Sequence, residues 1–127
     1  MAFEVEDLPG DARLFLRVHE QYFVPSNDPS VKRPSSACFK KPELSVNWAK
    51  YSSAKETAKP TSAAVVELVA RECKSFNQTV IHCPIQDGEK DGPNQAHSEI
   101  RGPKTHSTCD KFVRLSKVVW IRNHAPV

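Results

Sequence analysis

A chain of 127 residues with 39% hydrophobic content has the size of one domain able to bury its own core. A net charge of +3 is mild for a dedicated nucleic-acid binder, and no apolar run approaches the roughly 20 residues that cross a bilayer. The charge is uneven: residues 1–30 carry a net −4 and residues 31–60 a net +5, which makes the middle third the expected partner for phosphate.

The chain opens on "MAFEVEDLPG", acidic and without an apolar signal core, so a cytoplasmic protein is expected, with Cys38, Cys73, Cys83 and Cys109 as free thiols. In "RLFLRVH" (13–19), Leu14, Leu16 and Val18 alternate with Phe15, Arg17 and His19, the pattern of a half-buried strand. A competing helix has Leu14, Phe15, Val18 and Tyr22 as its stripe and Asp11 as its cap. Residues 25–36, rich in proline, serine and asparagine, predict a surface loop. "PELSVNWAKY" alternates Leu44, Val46 and Trp48 against Ser45 and Asn47, a second strand. Ser53 with Glu56 three residues on has capping-box spacing, so a short helix starts there, and Pro60 stops it.

"TSAAVVELVARECKSF" then sets Val65, Leu68, Val69, Cys73 and Phe76 at helical spacing behind Thr61 or Ser62, and predicts the best helix of the chain. "QTVIHCPI" (78–85) is β-branched and apolar and reads as an interior strand, with "QDGEKDGPN" as the turn after it. "NQAHSEIRG" (94–102), between two Gly-Pro breaks, places His97, Glu99 and Arg101 on one face of a strand. Ser107 or Thr108 caps a short helix bearing Phe112, Val113 and Leu115, and "VVWIRN" ends the chain's structure as a strand. The expectation is a single α+β domain (1–127) with a mixed sheet of about four to five strands and two to three helices.

Arg17 and His19 form one candidate constellation: a planar donor fork suited to phosphate, beside a group able to move a proton near neutral pH. A second is Lys32, Arg33, Ser35, Ser36, Lys40 and Lys41 with Phe39, Trp48 and Tyr51, cations near rings, as single-stranded nucleic acid or a nucleotide requires. A third is His97, Glu99 and Arg101 behind Asn94, with Glu99 as a general base or ribose ligand. Each also reads as an ordinary solvated face or, for Phe39 and Trp48, as core. No metal is expected, because His106 and Cys109 give one tight pair and Cys83 points opposite to His82 on a strand. There is no glycine-rich phosphate loop and no nucleophile elbow.

"LFLRVH", "RPSSACF" and "LSVNWAKYSSAKETA", in that order, resemble the layout of small ADP-ribosyltransferase-like domains and, more loosely, the RES family of NAD-degrading toxins. The resemblance covers residues 13–58 and lacks the glycine-arginine pair of the RES pattern. It implies that Arg17 holds the NAD phosphates, that Ser35 or Ser36 supports the nicotinamide ribose, and that Glu56 or Glu99 orients a ribose hydroxyl. "PNQAHSEIRG" also looks like a box in small bacterial proteins, a likeness that names no activity. The functional expectation is binding, with cleavage or transfer chemistry, of a phosphate-bearing nucleotide such as NAD. Catalytic roles fall to Glu99, His97 and Glu56, and ligand contacts to Arg17, His19, Arg33, Ser35 and Ser36. The rivals are a non-catalytic module that binds nucleic acid or a protein through residues 31–60, and a subunit of a larger complex.

Overall fold

The computed structural model describes residues 2–26 and 31–122. Six strands form one antiparallel sheet in the order β6-β7-β4-β1-β5-β8: β1 (Arg13–His19), β4 (Glu43–Trp48), β5 (Ser62–Val69), β6 (Thr79–His82), β7 (His97–Arg101) and β8 (Lys117–Ile121). A separate ribbon pairs β2 (Phe23–Pro25) with β3 (Lys32–Pro34). The helices are α1 (Ala54–Thr57), α2 (Ala70–Lys74) and α3 (His106–Leu115). The fold is α+β as expected, with eight strands among the described residues.

The alternation in the sequence sets the two faces of the sheet. Leu14, Leu16 and Val18 of β1 lie opposite Leu68, Val66 and Ala64 of β5, and all six are buried in the main core. Leu44, Val46 and Trp48 of β4 continue that face. It is covered by α2, by the 3-10 turn Ser36–Phe39 and by α3, where the Phe39 and Phe112 rings stack at 5.3 Å and Phe76 meets Phe112 edge-on at 5.0 Å. Phe15, Arg17 and His19 point to the opposite face with Ser45, Asn47, Val65, His97 and Glu99, since cross-strand partners share a side. On that second face α1 lies against β1 and β5, and Phe15 and Val65 are buried.

Five expectations need correction. Residues 62–69 are a strand, not the start of a long helix, and the helix that follows runs only over Ala70–Lys74, with no cap at Thr61 or Ser62. β5 lies between β1 and β8 and is apolar on both faces, with Ala64, Val66 and Leu68 toward the core and Val65 toward α1. An apolar run of this kind, broken only by Glu67, contains helical spacing by accident, and its β-branched residues favour the strand. β6 is an edge strand, not an interior one. Its inward side chains Val80 and His82 are buried because α2 and the N-terminal segment pack on it. The 25–36 loop contains β3, and its residues 27–30 lie outside the described ones. At α3 the cap is Thr105, whose hydroxyl accepts from the Thr108 amide at 3.2 Å, in place of Ser107 or Thr108. The last strand ends at Ile121, and Asn123 of the predicted stretch lies outside the described residues.

Residues 2–9 strap the β6 end of the molecule. The Phe3 amide and carbonyl both bond the Gln86 side chain, at 2.7 and 2.9 Å. The Glu6 amide donates to His82 Nδ1 at 3.0 Å, so the His82 proton sits on Nε2 and is given to the Gln95 carbonyl at 2.7 Å. The Glu6 carboxylate accepts from Lys50 at 2.6 Å and from the Tyr51 hydroxyl.

Candidate functional site

A polar cleft of about 370 Å³ opens on the second face of the sheet. Its floor is Arg17 from β1, Ser45 and Asn47 from β4 and His97 from β7, which the antiparallel register sets side by side. One wall is Tyr51, Ser52, Glu56 and Lys59, around α1; the other is Ile85, Asp91, Pro93 and Asn94, in the loop joining β6 to β7. The walls stand because their own chains are pinned. Ser53 caps α1 by accepting from the Glu56 amide at 3.1 Å, and Ile85 and Asn94 exchange two backbone bonds at 3.0 and 2.8 Å. Gly92 lies so close to the Gln86 carbonyl and Ile85 that no side chain fits there.

A hydrogen-bonded chain ties the two walls through the floor. Asn94 Nδ2 donates to Asn47 Oδ1 at 2.9 Å, Asn47 Nδ2 donates to Thr57 Oγ1 at 3.1 Å, and Thr57 Oγ1 donates to the Ser53 carbonyl at 2.8 Å. Asn47 and Thr57 are buried, and both of the Asn47 amide's ends have partners, so this chain is structural support for the cleft.

Arg17 is different. Among the described residues its half-buried guanidinium makes one hydrogen bond, a long one of 3.4 Å from Nη1 to the Thr57 carbonyl. Among the described residues no carboxylate comes within 4.0 Å of it. Burial pulls its pKa below the ordinary arginine value, and Asp91 across the cleft acts in the opposite direction. A buried charge normally has a partner, and an arginine has five donors in a fork matched to phosphate or carboxylate. The cleft as a whole holds Arg17 and Lys59 against Glu56 and Asp91. It therefore suits a ligand with both anionic and hydroxyl groups better than a simple polyanion.

Of the expected site residues, Arg17, Glu56 and His97 come together in this cleft. The others are placed elsewhere. His19 lines a neighbouring hollow that it shares with Arg17, Tyr22, Cys38 and Lys41, and its Nδ1 accepts from the Gln21 amide at 3.1 Å. Arg33 lines a third hollow with Asp110 and Arg114. Ser35 and Ser36 open the 3-10 turn, where the Ser35 amide donates to the Tyr22 carbonyl at 2.7 Å. Glu99 does not line the cleft and pairs with Arg101 at 2.7 Å. Phe39 and Trp48 are buried, at 0% and 5% exposure, so neither offers a ring to a base. Lys32, Lys40 and Lys41 are exposed.

Sequence reasoning passed over Asn47, Ser45 and Lys59. A signal for Asn47 was present: an amide between Val46 and Trp48 in a strand has to find partners, and it finds them across the cleft. Lys59 carried none.

On the same face, where β6 meets β7, Cys83, His97 and Glu99 bring their sulfur, nitrogen and oxygen atoms within 4.8 Å of one another. His82, the sequence neighbour of Cys83, is on the core side as the strand pattern requires. Cys109 is buried in the main core, and His106 is exposed and meets Asp110 at 3.5 Å. No protein-family model, curated protein or solved structure matches this chain. Among the described residues no helix is long and apolar enough to cross a membrane.

Proposed function

We propose that this chain binds a phosphate-bearing nucleotide in the cleft between α1 and the β6–β7 loop, and that NAD or a relative of it is the ligand class. The observation that carries the reading is the half-buried Arg17 on the cleft floor, with a single long hydrogen bond among the described residues. A diphosphate would take the donors that the protein leaves unused, with Lys59 supplying a second cation from the wall. Glu56 faces the same space, and a carboxylate accepts from ribose hydroxyls, the role that the ADP-ribosyltransferase-like resemblance gives to Glu56 or Glu99. The geometry favours Glu56 for it. Any turnover would break the N-glycosidic bond of the bound nucleotide with water as acceptor, Glu56 holding the ribose hydroxyl as positive charge develops on the sugar.

The test is calorimetric titration of NAD, ADP-ribose, ADP and pyrophosphate into the native protein and variants, with nicotinamide release followed in parallel. Native protein should give saturable heat with the diphosphates. Arg17→Gln should lose at least tenfold in affinity for all of them at an unchanged melting temperature. Glu56→Gln should weaken NAD and ADP-ribose and leave pyrophosphate unaffected, and Glu99→Gln should change neither. Absence of heat with every diphosphate, or equal binding by Arg17→Gln, overturns the reading. Binding of oligonucleotides that weakens steeply with salt and with replacement of Lys40 and Lys41 would support the basic-segment alternative in its place.

A further inference from the structure

We propose that Cys83, His97 and Glu99 form a zinc site at the β6–β7 edge, with three protein ligands and a fourth position open to water. The spacing of these residues along the chain gives no hint of a metal. The site exists because antiparallel pairing sets the residue just after β6 against the first of β7: the Cys83 amide donates to the His97 carbonyl at 3.1 Å, and Glu99 lies two residues further along the same face, opposite Ile81. Cys83 Sγ and His97 Nδ1 stand 3.5 Å apart. A thiolate at about 2.3 Å and an imidazole nitrogen at about 2.0 Å from a tetrahedral zinc ion are separated by about 3.5 Å, so this pair already has the spacing of two ligands.

The groups behind the ligands are also in place. His97 Nε2 is 3.4 Å from the Ser45 hydroxyl, which can take the proton on that nitrogen when Nδ1 binds metal. Arg101 holds Glu99 by Oε1 alone, through Nε at 2.8 Å and Nη2 at 2.7 Å, so Oε2 takes no bond from it. His97 Nδ1 lies 2.9 Å from the Cys83 carbonyl, so zinc binding turns the ring off that carbonyl and toward the Cys83 sulfur. A ligand set of one sulfur, one nitrogen and one carboxylate oxygen suits zinc and excludes calcium and magnesium, which take oxygen ligands.

Zinc binding forms a sulfur–metal bond, breaks the S–H bond and releases that proton to buffer. The His97 proton moves from Nδ1 to Nε2 and is retained. One proton leaves per zinc bound, and affinity rises with pH. The site shares His97 with the cleft but does not depend on nucleotide binding, so the metal titration is run with no nucleotide present and the two results are read separately.

The experiment is calorimetric titration of zinc chloride into metal-stripped protein at pH 7.5 in two buffers of different ionisation enthalpy, with cobalt(II) absorption as a second readout. The expected result is one zinc per chain, about one proton released, and a sulfur-to-cobalt charge-transfer band. Cys83→Ser and Glu99→Gln should each weaken zinc at least tenfold, and His106→Ala should leave it unchanged. Absence of zinc uptake, uptake undiminished by both ligand variants, or uptake abolished by His106→Ala overturns the proposal. If Cys83→Ser fails to fold, the native protein decides, since a cobalt complex without the charge-transfer band has no thiolate ligand.

Discussion

At the residue scale, the cleft and the cysteines follow from opposite consequences of partial burial. Arg17 keeps its charge and, among the described residues, lacks partners for most of its donors, which is what the proposed anion contact rests on. The cysteines become neutral instead: burial pushes Cys38 and Cys73 up to about 12 and Cys83 up to about 11. The thiolate is the reactive form, so at pH 8 metal-free native protein should alkylate roughly a hundredfold more slowly at Cys83, and roughly a thousandfold more slowly at Cys38, than the unfolded chain. Mass spectrometry after timed iodoacetamide treatment measures this, and equal rates in the two states would contradict the environment described for these thiols. Arg17 was legible in the sequence because it breaks an apolar strand at an outward position. The Cys83–His97 pair was not, since its closeness comes from cross-strand register and not from spacing.

At the element scale, alternation identified β1 and β4 and separated Val80 and His82 of β6 from Thr79 and Ile81 on its other face. It failed at β5, where Val65 is buried on the second face between the core-facing Ala64 and Val66 and blurs the alternation. The capping signal at Ser53 was read correctly, and it matters for the site because it fixes the turn that carries Glu56. The opposite wall depends on Gly92, where a Cβ would meet the Gln86 backbone and the Ile85 side chain. Gly92→Ala should therefore displace the 85–94 loop, cut diphosphate affinity severalfold and lower the urea midpoint only slightly, because the loop lies outside the main core. Native-like binding by this variant would show that the loop is not a wall of the ligand site.

At the scale of the whole molecule, the sheet separates two tasks. One face holds the core beneath α2 and α3, and the other carries the polar residues that α1 and the β6–β7 loop enclose. The N-terminal segment ties these layers together through Glu6, whose carboxyl is held below the usual range by its bonds from Lys50 and Tyr51. A carboxyl lowered in the folded state stabilises above the unfolded value of about 4.3, and that contribution disappears as pH falls through the folded value. Glu6→Gln should accordingly lower the urea midpoint at pH 7, with the difference from native protein shrinking toward zero in acid below about pH 4. A difference that persists undiminished at pH 3 would remove the charge from the explanation. Convergence of Arg17, Glu56 and His97 was a question of topology, which no local pattern in the chain encodes; the order β7-β4-β1 supplies it.

The central claim is that the ligand's phosphate meets Arg17, and NMR titration with ADP-ribose tests it most directly. The Arg17 side-chain Nε–H signal and the amides of Ser45, Asn47, Asn94 and His97 should shift together along one saturating curve, with Arg33, Ser35 and Ser36 unmoved. Shifts confined to residues 31–41, or a stationary Arg17 signal at saturation, would contradict the account.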